Sequence, residues 1–175
     1  MSFEHIMVDL ETLSNREDAA IVSIGAVRFD LDRFELGDEF YVWVDGRSCQ
    51  KVGLRVDFGT VCWWMSQGDA ARAVFTENKG IHLATALMDL SDFILRVPES
   101  AVWGNGSTFD NMILRSAFRA CRLAYPVSYK NDLCYRTIRK MFPREKVELG
   151  TKHNALDDAK SQALTLIEIV KGFRQ

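Results

Sequence analysis

The sequence predicts an α/β fold, a mixed sheet flanked by helices, and three features of the chain predict it. Strand-like alternation fills the first part of the chain, helical spacing takes over from about residue 60, and one short apolar run returns between helical segments. The opening HIMVDLE alternates, and AIVSIGAVRFD is rich in β-branched residues, the mark of a buried strand. Asp32-Arg33 is predicted to lie in the turn before a third strand, FYVWV at 40–44. Three sequential strands with short links predict an antiparallel meander. Helical spacing then covers 60–75 and 83–96, the second with Leu83, Leu87, Leu90, Phe93 and Ile94 along one stripe. AVWGNG at 101–106 reads as a short buried strand running into a glycine-rich loop. Helices are predicted over 109–121, with Ile113, Leu114, Ala117 and Phe118 inward, then over 134–142 and 154–173.

At 175 residues the chain fits one domain, 1–175, with length enough for a real hydrophobic core. A hydrophobic fraction of 47% with 26% charged residues is that of a globular protein, which argues against disorder. The formal charge of −2 is not that of a protein that grips duplex DNA through its phosphates, so nucleic-acid affinity would need a local patch or bound metal. Four cysteines, Cys49, Cys62, Cys121 and Cys134, form no CxxC pair and are expected to be reduced core residues of a cytoplasmic protein. The start MSFEHIMVDLE lacks the pattern of a secretory signal, and no apolar stretch reaches membrane-spanning length.

Acidic residues carry the functional signal. Asp9 and Glu11 share one face of a predicted strand, where two like charges are costly unless a cation neutralises them. Taken alone, the pair also fits a solvated strand end. Asp110 follows Asn105-Gly106-Ser107-Thr108-Phe109 at the first turn of a helix, where an aspartate ordinarily caps, but where α/β sites are also built. His153 precedes a helix whose first turns carry Asp157 and Asp158, with Asn154 a candidate cap. The other two histidines, His5 and His82, are read as surface residues. Helical geometry does not choose between Asp157 and Asp158: both lie about 130° from the centre of the apolar stripe at 100° per residue.

In that order, strand D-x-E, helix-start Asp after Asn-Gly-x-x-Phe, and H-x4-D resemble the three motifs of the DEDDh 3′–5′ exonucleases, relatives of proofreading exonucleases and ribonuclease T. The resemblance covers nearly the whole chain. VDLET, AAIVSIGAVRFD, VCWWMSQGDAAR, VWGNGSTFDNMILR and YKNDLCYRT further resemble the exodeoxyribonuclease VIII N-terminal segment, phage exonuclease A and the mycobacterial-type 3′–5′ exoribonucleases. It implies a ribonuclease H-like fold with a central mixed five-stranded sheet, and it selects Asp158 over Asp157.

The resemblance implies that Asp9, Glu11, Asp110 and Asp158 hold two divalent cations, Mg²⁺ or Mn²⁺, about 3.5–4 Å apart. His153 would then be the general base, releasing nucleoside 5′-monophosphates from a single-stranded 3′ end. Thr12, Leu13, Asn105, Phe109 and Asn154 are expected at the substrate. Trp63 and Trp64 could stack bases, but adjacent helical residues diverge by about 100°, so at most one should face substrate. Arg136, Arg139, Lys140, Arg144 and Lys146 form the favoured phosphate cluster, ahead of the stripe Arg115, Arg119 and Arg122, which equally fits a solvated helix face. The exodeoxyribonuclease likeness favours DNA slightly over RNA, and relatives that dimerise make a homodimer compatible. The alternatives are a ribonuclease H-like endonuclease and a catalytically silent nucleic-acid-binding module of the same fold.

Overall fold

A computed structural model describes residues 4–77 and 80–174. Three strands, β1 (His5–Thr12), β2 (Ile21–Asp30) and β3 (Glu35–Trp43), form the expected antiparallel meander. Two more, β4 (Ala101–Gly104) and β5 (Asp132–Cys134), add in parallel to give the order β3-β2-β1-β4-β5. β1 is central because it alone pairs antiparallel on one side and parallel on the other. Its C-terminal end lies where the parallel half begins, the usual position for a site in open α/β sheets.

Seven α-helices accompany the sheet among the described residues: α1 (Gly46–Lys51), α2 (Phe58–Met65), α3 (Asp69–Thr76), α4 (Leu83–Leu95), α5 (Asp110–Ala120), α6 (Tyr135–Met141) and α7 (Ala155–Arg174). The single helical stretch expected over 60–75 is two helices, broken at Gly68, which caps α3. α1 and the three-residue β5 are too short for periodicity to reveal, and β3 starts five residues earlier than expected. No described helix is long and apolar enough to cross a membrane.

Alternation along β1 divides the core. Ile6, Val8 and Leu10 face α4 and α5, in a cluster with Leu87, Leu90, Ile113, Leu114 and Phe118. Met7 faces the other way, with Val27, Phe29 and the α7 residues Ala159, Ala163, Leu166 and Ile167. Asp9 and Glu11 follow Met7 at i+2 and i+4, so they emerge on the α7 side. Burying these side chains contributes about 25 cal/mol per Å² of apolar surface, which ties both layers to one sheet.

α7 approaches the sheet closely at its first turn. Gly25 on β2 pairs opposite Asp9, and a Cβ there would stand 2.2 Å from the Ala155 carbonyl carbon. Ala155, Ala159 and Ala163 continue the small surface at every fourth residue. Gly25 is therefore a glycine for space rather than for torsion.

Two expectations about individual residues are corrected. His5 is half-buried rather than on the surface: it stacks on Phe29 at 5.3 Å and its Nδ1 accepts a hydrogen bond from Trp103 Nε1 at 3.1 Å. His82 is exposed as expected, where its Nδ1 caps α4 by accepting the Ala84 N–H. Of the cysteines, all free, Cys49 is buried but Cys62 is exposed on α2, because that helix packs through Trp64 and leaves its opposite face uncovered.

Candidate active site

A cleft of about 710 Å³ opens at the C-terminal end of β1. Asp9, Glu11, Thr12, Trp63, Asn105, Phe109, His153, Asp158 and Gln162 are among its lining residues. Ligand atoms of Glu11, His153 and Asp158 lie within 4.8 Å of one another, a group able to hold a metal ion. Asp9 and Asp110 stand beside this trio rather than in it, each held by its own hydrogen bonds.

Asp110 is 1% exposed and is fixed by the backbone. Its Oδ1 accepts the Leu10 N–H at 3.2 Å and its Oδ2 the Asn105 N–H at 2.7 Å. Gly104 allows this: a Cβ there would stand 3.1 Å from the Asp110 Cβ and 2.8 Å from the Asn111 amide oxygen. Asp9 Oδ1 accepts from Gln162 Nε2 at 2.7 Å. Gln162, one turn beyond Asp158 on α7, is absent from the residues singled out in the sequence. The i, i+4 spacing from Asp158 is the signal that could have found it.

The two acids at the start of α7 separate by task. Asp158 Oδ2 accepts the His153 N–H at 2.9 Å and lines the cleft. Asp157 Oδ2 accepts the Thr151 N–H at 2.7 Å and is occupied with the preceding loop, against Gly150. Asn154 caps the helix, its Oδ1 accepting the Leu156 and Asp157 N–H groups while its amide donates to the Tyr41 hydroxyl. This capping role keeps it out of the cleft lining. His153 itself has φ +65°, a left-handed conformation that costs a non-glycine residue energy and marks a position held by its surroundings.

Electrostatics of the acids follow from burial. Burial pushes Glu11 up to about 8, with the charges of Asp158 and Asp110 adding to the effect. Asp9 is held well above the usual carboxylate range by burial, then by Asp110, Glu11 and Asp158, with the Gln162 bond opposing. Burial raises Asp110 to about 6 against its two backbone N–H bonds, and raises Asp158 against the His153 N–H. His153 is lowered by burial, only partly offset by Asp158, so its imidazole is neutral and can accept a proton at neutral pH.

The tryptophans also separate. Trp64 is 3% exposed and its Nε1 donates to the Thr12 carbonyl at 2.9 Å, tying α2 to the end of β1. Trp63 is 44% exposed, lines the cleft and meets the His153 ring edge-on at 5.0 Å. Thr12 lines the cleft, but Leu13 does not: a bulge between Glu11 and Thr12 shifts the register, and Leu13 lines a small cavity with Val22, Val44 and Phe75. Of the basic residues, Arg139, Lys146 and Lys152 line the cleft, whereas Arg144 packs against Gly172. Arg115 pairs with Asp132 at 2.5 Å and lies over the Tyr125 ring at 4.3 Å, so it is engaged within the protein.

Residues 4–170 match the family described as the 3′–5′ exoribonuclease Rv2179c-like domain. No curated protein matches the chain. Among solved structures, the nuclease domain of 3′hExo, a DEDDh family member, bound to rAMP, is similar with a TM-score of 0.67 at 13% identity, over 96% of this chain and 92% of that one. E. coli Exonuclease I in complex with a dT13 oligonucleotide has a TM-score of 0.68 at 16% identity, over 94% of this chain. The chain thus spans 40% of the length of Exonuclease I. At these identities the two structures speak for the fold, a ribonuclease H-like sheet flanked by helices. With the sequence match running over almost its whole length, the chain belongs to the Rv2179c-like family of 3′–5′ exoribonuclease domains.

Proposed function

We propose that this chain removes nucleotides one at a time from single-stranded 3′ ends, using two divalent cations held by Asp9, Glu11, Asp110 and Asp158, with His153 as general base. The observation that carries this reading is the meeting of Glu11, Asp158 and His153 within 4.8 Å beside Asp9 and Asp110. The resemblance to the DEDDh exonucleases implies divalent metal ions, and the donor set fits them. Glu11, pushed up to about 8, would hold a proton at neutral pH without a counter-charge, Asp9 is shifted in the same direction by burial and its acidic neighbours, and hard oxygen donors suit Mg²⁺ or Mn²⁺. When bound, such cations supply water activation and charge stabilisation in phosphodiester hydrolysis.

The protein's own residues do the rest. His153, neutral and fixed by its N–H to Asp158, accepts a proton from the attacking water. Trp63 offers an exposed ring on which the terminal or adjacent base stacks, while Arg139, Lys146 and Lys152, lining the same cleft, supply positive charge for the phosphates. The product is a nucleoside 5′-monophosphate. The family is described as exoribonuclease, so RNA ends are accepted alongside the DNA ends that the sequence favoured slightly.

The test is digestion of matched 5′-labelled DNA and RNA single strands with Mn²⁺, comparing wild type, Asp9→Ala and His153→Ala. Stepwise 3′ shortening by the wild type, lost in both variants, is the expected result. Internal cuts would point to an endonuclease and binding without cleavage to a silent module, and either would overturn the proposal.

A further inference from the structure

We infer that Gln162 is a positioning residue that orients the Asp9 carboxylate for divalent cation binding, an inference that rests on the metal site proposed above. Its side chain rises from α7 one turn after Asp158 and reaches β1, where Nε2 donates to Asp9 Oδ1 at 2.7 Å. Among the described residues it is the one side chain hydrogen-bonded to Asp9.

The other end of the amide explains why this is more than a chance contact. Gln162 Oε1 is buried and has no hydrogen-bond partner among the described residues. Leaving a buried acceptor unpaired is destabilising, a cost a methionine or leucine of similar size would avoid. A glutamine that satisfies only its donor end, and does so on a carboxylate, is retained for that donor. With Asp9 ionised, as a cation ligand must be, the amide cannot be turned over, because its oxygen would then face Asp9 Oδ1.

The chemistry of the neighbourhood favours an amide over the other donors. Asp9 is flanked by the charges of Asp110, Glu11 and Asp158. A lysine or arginine at 162 would pair with Asp9 and occupy by charge the place of a cation. A neutral N–H fixes one carboxylate oxygen and leaves the negative charge available. Residues that orient a ligating carboxylate in this way typically govern about 10–100-fold in metal affinity.

The test uses the full chain and Mn²⁺ as the probe, with affinity read by calorimetry at pH 7.5. Gln162→Met, which keeps volume and loses the donor, is expected to bind Mn²⁺ about tenfold or more weakly, with kcat lowered, KM little changed and the melting temperature of the metal-free protein kept. Gln162→Lys is expected to lose Mn²⁺ binding while the metal-free protein melts higher, an opposition that a merely structural role would not produce. Unchanged Mn²⁺ affinity in folded Gln162→Met overturns the inference. Should that variant fail to fold, Gln162→Lys decides: wild-type Mn²⁺ affinity there overturns it equally. Absence of Mn²⁺ binding by the wild type would instead overturn the metal site itself.

Discussion

Replacing Glu11 with glutamine is expected to make the metal-free protein more stable at alkaline pH while removing its hold on divalent cations. Glu11 is 8% exposed and makes no hydrogen bond among the described residues, so nothing in the protein stabilises its charge. Its carboxyl stands at about 8 against an ordinary 4.5. Between those values the folded state keeps a proton that the unfolded chain has released, so stability falls as pH rises through the window. At about 1.4 kcal/mol per pH unit the ceiling is about 4–5 kcal/mol, and water entry with side-chain relaxation reduces it to about 2 kcal/mol. For a domain of this size that is about 4–8 °C in melting temperature. Thermal unfolding with a chelator at pH 5 and pH 8.5 reads it directly. Wild type and Glu11→Gln should melt close together at pH 5, and the variant should melt higher at pH 8.5. Added Mn²⁺ should raise the wild type far more than the variant. A correctly folded variant that melts at or below the chelated wild type at pH 8.5 refutes the reasoning.

Three further expectations follow from the geometry. Gly25→Ala places a methyl group against the Ala155 backbone, and should cost about 3 kcal/mol or more in denaturant unfolding while displacing Asp158 enough to abolish activity; unaltered stability would show that the α7 seat is not tight. Trp64→Ala should destabilise by about 3–5 kcal/mol through lost packing and the lost bond to Thr12, whereas Trp63→Ala should change stability by about 1 kcal/mol or less and raise KM about tenfold; equal effects on unfolding would undo that distinction. Asp158→Ala should damage kcat/KM at least as much as Asp157→Ala, which loses one loop hydrogen bond worth about 1–2 kcal/mol of stability. The reverse ranking would reject the placement of Asp158 at the cations.

Much of the fold was legible because its signals are local. The β-branched run of β2, the alternation of β1 and the apolar stripe of α4 each announce an element from within it. What periodicity cannot supply is a contact set by register. Leu13 looks like a continuation of the Asp9–Glu11 face until the bulge at Glu11–Thr12 turns it away. Asp157 and Asp158 lie symmetrically about the α7 stripe, and only the fold of the 150–154 loop gives each its partner. Arg115 belongs to a basic stripe in sequence, yet a partner 17 residues away on β5 takes its charge. Gln162 was invisible for the same reason: its significance lies on β1, 153 positions earlier.

The two N–H groups on Asp110 have a consequence for reading mutations. β1 and β4 pair only over His5–Met7 and Ala101–Trp103, after which the two chains splay into a fork. Asp110 bridges that fork from within, receiving Leu10 from one prong and Asn105 from the other. Asparagine at 110 could satisfy at most one of those donors while turning its own amide hydrogens toward the second, so the prongs would shift as the charge is lost. Inactivation at this position therefore reports the spacing of the fork together with any ligation, whereas inactivation at Glu11, which bonds to no backbone group, isolates the carboxylate's chemistry.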